Sequence, residues 1–173
     1  MKILITIPNT KPSSRFPNKN KILASRTVEW LEEELANYFP HNENMEIVIK
    51  EIISDFTIAP VTPYPKYHVS VYDCSNHEKI LSDCHFSEFP DFHIHLQLTN
   101  YNRRHGLLID AIQQLMNNNN DVVSSYCSWF DDYSWRELDT NGMFCDSFRT
   151  NREHNYYDGA IYCFREPEKV FDK

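Results

Sequence analysis

The stretch that most constrains this chain is its start. Ile3-Leu4-Ile5-Thr6-Ile7 is a short apolar run rich in β-branched residues, long enough for one buried strand. Pro8, Pro12 and Pro17 then break any regular pattern, and the polar loop they punctuate carries Ser13, Ser14 and Arg15 and leads to Lys19 and Lys21. A helical pattern follows. Strand, cationic loop and helix together suit the holding of phosphates, because loop amides and a helix amino end supply partial positive charge and lysine a full one. Alone, the stretch is a generic connection between a strand and a helix.

The rest of the chain repeats the alternation. Thr27 to Phe39 reads as an amphipathic helix: Val28, Leu31 and Leu35 recur at spacings of three and four, with Glu29, Glu32, Glu33 and Glu34 largely opposite as a solvated face. Ser25 or Thr27 is its expected cap, and Pro40 stops it. Met45 to Ile53 reads as a second strand, although its continuous apolarity also suits a helix. Three prolines make Ala59 to Pro65 irregular. Tyr67 to Tyr72 alternates as a strand does, and Asn76 to Asp83 is a candidate short helix. Phe92 to Leu98 is the clearest period-two segment, with Phe92, Ile94, Leu96 and Leu98 on one face and His93, His95 and Gln97 on the other.

A loop from Thr99 to His105 leads to a helix through Leu107, Leu108, Ala111, Ile112 and Leu115, and Asp121 to Cys127 resumes a strand. Short segments follow at Trp135 to Asp139, Met143 to Phe148 and Ala160 to Phe164, with Asn141-Gly142 as a hairpin signal between the first two. This order predicts one domain over residues 1–173. Its expected architecture is a three-layer, Rossmann-like α/β fold, a mostly parallel sheet with helices on both faces and a late β-hairpin region.

Composition narrows the classes. At 173 residues one domain is the natural size, and 41% hydrophobic with 14% aromatic residues suits a packed core. Seventeen Lys and Arg against 25 Asp and Glu leave a net charge of −8, which disfavours a non-specific nucleic-acid binder but allows a nucleotide site built on a few local cations. No stretch approaches the length of a membrane span, and the opening apolar run ends too soon for a signal peptide. Five irregularly spaced cysteines then read as free thiols in a reducing, cytoplasmic setting. With only Gly106, Gly142 and Gly159 present, any glycine-rich loop must be modified here.

Two histidine patterns invite other chemistries. His93-x-His95 on a strand has the form of a zinc chelate, with Cys74, His77, Cys84 and His85 as further ligand types nearby, yet the spacing fits no standard finger or ribbon. The plain alternative is a row of polar residues on one sheet face. His68-x-Ser70 has the form of half a two-histidine phosphoesterase motif, but no partner His-x-Ser/Thr lies far enough downstream.

Three blocks, in order, carry a family resemblance. ITIPNTKPSSRFPNKNKIL resembles the Ile-Pro-Ala-Arg-Gly-Gly-Ser-x-Arg-x-Pro-x-Lys-Asn loop of the cytidylyltransferases that activate acidic sugars, the acylneuraminate and octulosonate enzymes. Ile7, Pro8, Ser13, Arg15, Pro17, Lys19 and Asn20 match without gaps. LQLTNYNRRHG resembles the Leu-Gln-x-Thr-Ser-Pro-x-Arg segment, with Leu96, Gln97, Thr99 and Arg103 matching, and a helix and an Asp-x-Val-Val-Ser strand follow in both. REHNYYDGAIYCFRE resembles the Asn-Gly-Ala-Ile-Tyr-x-Phe strand through Gly159, Ala160, Ile161, Tyr162 and Phe164.

The resemblance implies transfer of CMP from CTP to an acidic sugar, with magnesium as cofactor and pyrophosphate released. Transferred by position, it implies that Ser13, Arg15, Lys19 and Asn20 bind the nucleotide, that Gln97, Thr99, Arg103 and Asp158 face the sugar, and that Arg149 or Arg152 joins Lys19 in catalysis. It also implies a homodimer through Trp135 to Phe148. Two departures bear on this. Thr10, Lys11 and Pro12 stand where the family has arginine and two glycines, and proline removes an amide donor and fixes φ. The family's carboxylate pair for the metal is expected in a segment beyond Lys173. The alternative expectation is therefore a catalytically inactive nucleotide-binding or partner-subunit relative.

Overall fold

The computed structural model describes residues 1–9, 19–39, 44–53, 64–68, 77–98, 103–117, 122–130, 136–138, 144–146 and 153–167. In chain order these form β1 (Lys2–Asn9), α1 (Lys19–Tyr38), β2 (Glu46–Ile53), β3 (Lys66–His68), α2 (His77–Glu88), β4 (Phe92–His95), α3 (Leu107–Asn117), β5 (Val122–Phe130), β6 (Arg136–Leu138), β7 (Phe144–Asp146) and β8 (Glu153–Phe164). All eight strands join one sheet, ordered β3-β2-β1-β4-β8-β6-β7, with β5 also on β8.

The apolar run at the start becomes β1, a central strand paired in parallel with β2 on one side and β4 on the other. Its alternation sorts the core into two layers. Ile3, Ile5 and Ile7 point with Phe92 and Ile94 toward Val28, Leu31, Leu108 and Ile112 of α1 and α3. Leu4 points the other way and packs with Ile52 against Ile80 and Cys84 of α2. A strand covered on both faces reads as a nearly continuous apolar run, which is why this one shows no polar alternation and its single polar residue, Thr6, is buried. At the far end of α2, Glu88 accepts from Lys2 Nζ at 2.9 Å and from Lys50 Nζ, clasping the helix to β1 and β2.

The expected α/β sheet with helices on both faces is present, and its mixed character has a specific source. β1, β2, β3 and β4 run parallel. β8 then inserts between β4 and β5 and is antiparallel to both, so β5 still runs in the direction that the α3 crossover requires. β8 continues outward beside β5, and Tyr156 pairs with Glu137 of the β6–β7 hairpin that Asn141-Gly142 predicts.

Three local readings need correction. α1 begins well before Thr27, because its first turns are polar and carry little apolar period. Ser25 is therefore no cap; its hydroxyl donates back to the Lys21 carbonyl at 3.0 Å inside the helix. Glu34 does not belong to the solvated acidic face, for it is wholly buried while Glu29, Glu32 and Glu33 are exposed. α2 extends past Asp83 to Glu88 and ends on Phe89, a non-glycine residue at φ 48°.

Candidate functional site at the carboxyl ends of the strands

Parallel pairing brings the carboxyl ends of β1, β2 and β4 to one edge of the sheet, the edge at which open α/β folds hold their ligands. Two buried contacts fix it. Asn9, the last residue of β1, donates from Nδ2 to Glu51 of β2 at 2.8 Å, and the Leu96 amide donates to the Thr6 carbonyl at 3.0 Å, carrying β4 one residue past its formal end. Gln97 follows at once, half-buried.

The first residues of α1 arrive at this edge after the connection from β1. Lys19 and Asn20 are half-buried, and Lys21 is exposed. The first turn carries no acidic residue. A helix dipole favours carboxylates there and disfavours cations, so Lys19 and Lys21 work against the helix and in favour of an anion placed before it. A local rule broken in this way marks a site more often than a stability feature.

Arg103 is buried. Its guanidinium donates to Thr27 Oγ1 of α1 at 3.1 Å and to the Gln97 carbonyl, and lies 5.3 Å from the centroid of the Trp30 ring. It thus ties the end of β4 to α1. Ser13, Arg15, Thr99, Arg149 and Arg152 lie outside the described residues, as does the side chain of Asp158, whose backbone belongs to β8. Of the expected site residues, the structure therefore places Lys19, Asn20, Gln97 and Arg103.

Among the described residues, the histidines are not arranged as a zinc chelate. His93 and His95 are buried, and Thr6 Oγ1 sits between them, 2.9 Å from His93 Nε2 and 2.9 Å from His95 Nδ1. A hydroxyl has one proton, so it donates to one ring and accepts from the other; the two neutral tautomers are matched through it. His93 also packs on Phe164 of β8 at 4.5 Å between ring centroids, and His85 of α2 lies 5.9 Å away. Burial, and then the neighbouring His95 and His85, hold the His93 imidazole well below its usual range. Cys84, one of the two candidate sulfur ligands, is pushed up to about 12, chiefly by burial, and so is a poor nucleophile. Among the described residues, no group of three His, Cys, Asp or Glu is arranged to hold a metal, zinc or magnesium. His68 contributes its backbone to β3, and Cys74 and Ser70 lie outside the described residues.

Elsewhere, a cavity of about 370 Å³ opens at the opposite edge, lined by Met1, Lys2, Asn44, Met45, Glu46 and Asp91, where the parallel strands begin. No described helix is long and apolar enough to cross a membrane.

No protein-family model matches this sequence, and no curated protein sequence does. Solved structures do match. A CMP:2-keto-3-deoxy-manno-octonic acid synthetase, solved with CTP, superposes with a TM-score of 0.69 at 14% identity, over 98% of this chain and 82% of that one. HddC from Yersinia pseudotuberculosis gives 0.62 at 10% identity, over 99% and 79%. The 4-diphosphocytidyl-2C-methyl-D-erythritol synthase from Anaerococcus prevotii gives 0.52 at 10% identity, over 98% and 73%. At such identities the likeness is one of fold, and the fold is that of the nucleotidyltransferase-like α/β domains.

Proposed function

We propose that this chain is a cytidylyltransferase-type protein that transfers CMP from CTP to an acidic sugar of the nonulosonate class. The observation that carries the reading is the position of Lys19 and Asn20 at the cation-bearing start of α1 and of Gln97 just past β4, the strand whose carboxyl end lies beside that of β1. These are the positions at which the sequence blocks agree with the acidic-sugar enzymes. The CTP complex of a structural neighbour supports the choice of nucleotide.

In this reading Lys19 and Arg15 bind the phosphates, while Ser13 and Asn20 shape the nucleotide pocket. Gln97, Thr99 and Asp158 face the sugar, and Arg103 acts through Gln97, whose carbonyl it holds. The anomeric hydroxyl attacks the α-phosphorus and gives up its proton to solvent. The new P–O bond forms as the α–β anhydride bond breaks, and pyrophosphate departs with the electron pair. Positioned cations, including Arg149 or Arg152, stabilise the charge that develops. The described residues offer no cage for the magnesium that the resemblance implies, so no step is assigned to it.

The test is pyrophosphate release from CTP in the presence of magnesium and a panel of acidic sugars, with GTP as the comparison arm because another neighbour was solved with GMP-PN. Release that depends on CTP and on one acidic sugar is expected. CTP binding without turnover for any sugar would replace the enzyme with the second reading, a nucleotide-binding relative, which Pro12 favours by removing an amide from the phosphate loop. A homodimer through Trp135 to Phe148 belongs to the same proposal; light scattering at the mass of one 20.6 kDa chain would remove it.

A further inference from the structure

One stripe of α1 is committed to the connection between β4 and α3. Thr27, Trp30, Glu34 and Tyr38 recur at spacings of three and four, so they share a helix face. Thr27 Oγ1 accepts from Arg103 at 3.1 Å. Trp30 donates from Nε1 to the Arg104 carbonyl at 3.3 Å. Glu34 accepts from the amides of Gly106 at 2.7 Å and Leu108 at 3.2 Å. Gly106 holds φ +79°, a conformation that strains any side chain, and a Cβ there would press on the Tyr38 hydroxyl at 3.3 Å.

Glu34 is the informative member. The first amides of a helix lack partners within it, and a Ser, Asp or Asn at the local cap position satisfies them at no cost in buried charge. Here a carboxylate from another helix, wholly buried, does the work. Burying a carboxylate is expensive unless hydrogen bonds compensate, so a local cap would secure α3 more cheaply. What the distant cap adds is register: it fixes Arg103 to Leu108, and through Arg103 the Gln97 carbonyl, against α1. The same helix begins at Lys19 and Asn20.

We propose that Glu34, with Trp30 and Thr27, is a positioning residue that holds Arg103 to Leu108, and through Arg103 the sugar-facing Gln97, in register with the nucleotide-binding start of α1. The inference rests on the proposed transferase reading and concerns how its two half-sites are aligned. α1 is the rigid bar between them. Nucleotide contacts lie at the start of that bar, ahead of the stripe, so loss of the cap affects the sugar side first.

The experiment compares wild type, Glu34→Gln, Trp30→Phe and Glu33→Gln, the last an exposed charge on the same helix. Two readouts are taken, amide hydrogen exchange at Gly106 and Leu108, and KM for CTP and for the acidic sugar separately. Glu34→Gln turns an amide group against one of the two backbone donors. It is expected to speed exchange at Gly106 and Leu108 and raise the sugar KM by about tenfold, with the CTP KM within about twofold, as for one lost hydrogen bond to a charged acceptor. Trp30→Phe gives a smaller change of the same kind, and Glu33→Gln changes neither constant. Faster exchange with an unchanged sugar KM, or an equal rise in both KM values, overturns the positioning role while leaving the transferase reading intact. A wild type that turns over no sugar overturns both.

Discussion

Lys19→Ala is expected to weaken CTP binding roughly 10- to 100-fold, the loss that accompanies removal of one charge-assisted hydrogen bond to phosphate. The net charge of −8 makes the effect large, because the protein as a whole repels a triphosphate and depends on local cations to hold it. Lys19→Arg keeps the charge and retains most of the affinity. The substitution also separates binding from folding. A cation in the first turn of a helix opposes the dipole, so its removal leaves α1 unharmed or slightly firmer. Weaker titration by CTP with an unchanged melting temperature is the expected pair of results; unchanged affinity takes Lys19 out of the site.

The second large effect is a loss of stability in mild acid, well above the pH at which carboxylates titrate. His93 is wholly buried, and the charged form of its ring is opposed by burial and by His95 and His85. In the unfolded chain it takes up its proton near 6.5, and in the folded chain only far lower. The unfolded state therefore binds more protons between those values, and stability falls as pH drops below about 6.5, by up to about 1.4 kcal/mol per pH unit. The groups around it are Thr6 on β1, His95 on β4, His85 on α2 and Phe164 on β8. Glu88 adds a later loss. Its carboxyl is held low by hydrogen bonds from Lys50 and Lys2, so its contribution is present above 4.5 and disappears as pH falls through its lower folded value. Urea unfolding of wild type and His93→Gln between pH 7.5 and 5 checks the point: the variant's stability should depend less on pH, and parallel curves would acquit His93.

Much of this arrangement is legible in the residues. The unbroken apolar run of β1 announces a strand buried on both faces, and the period-two pattern at Phe92 to His95 tells which side chains share a face. It does not tell what covers that face. The histidines look like an open row of polar groups until the fold buries them, and their partner, Thr6, is remote in sequence. The position of β8 is similarly hidden, because nothing local to Ala160 to Phe164 says that it will separate β4 from β5. Glu34 is a different case. It lies three and four residues after Leu31 and Trp30, on the buried stripe of α1, so spacing alone distinguishes it from Glu32 and Glu33. The acidic run concealed a signal that was there. The connection from β1 to α1 is the reverse: its cations and its prolines are plain in the sequence, while residues 10–18 lie outside the described residues.

The most direct test of the site itself is an amide NMR titration of the labelled protein with CTP. Saturable shifts at Lys19, Asn20 and Gln97, with little change around Met1, Glu46 and Asp91 at the opposite edge, are the result predicted for a nucleotide held at the carboxyl ends of β1 and β4. Shifts confined to that opposite edge, or no saturable shift at all, would contradict it.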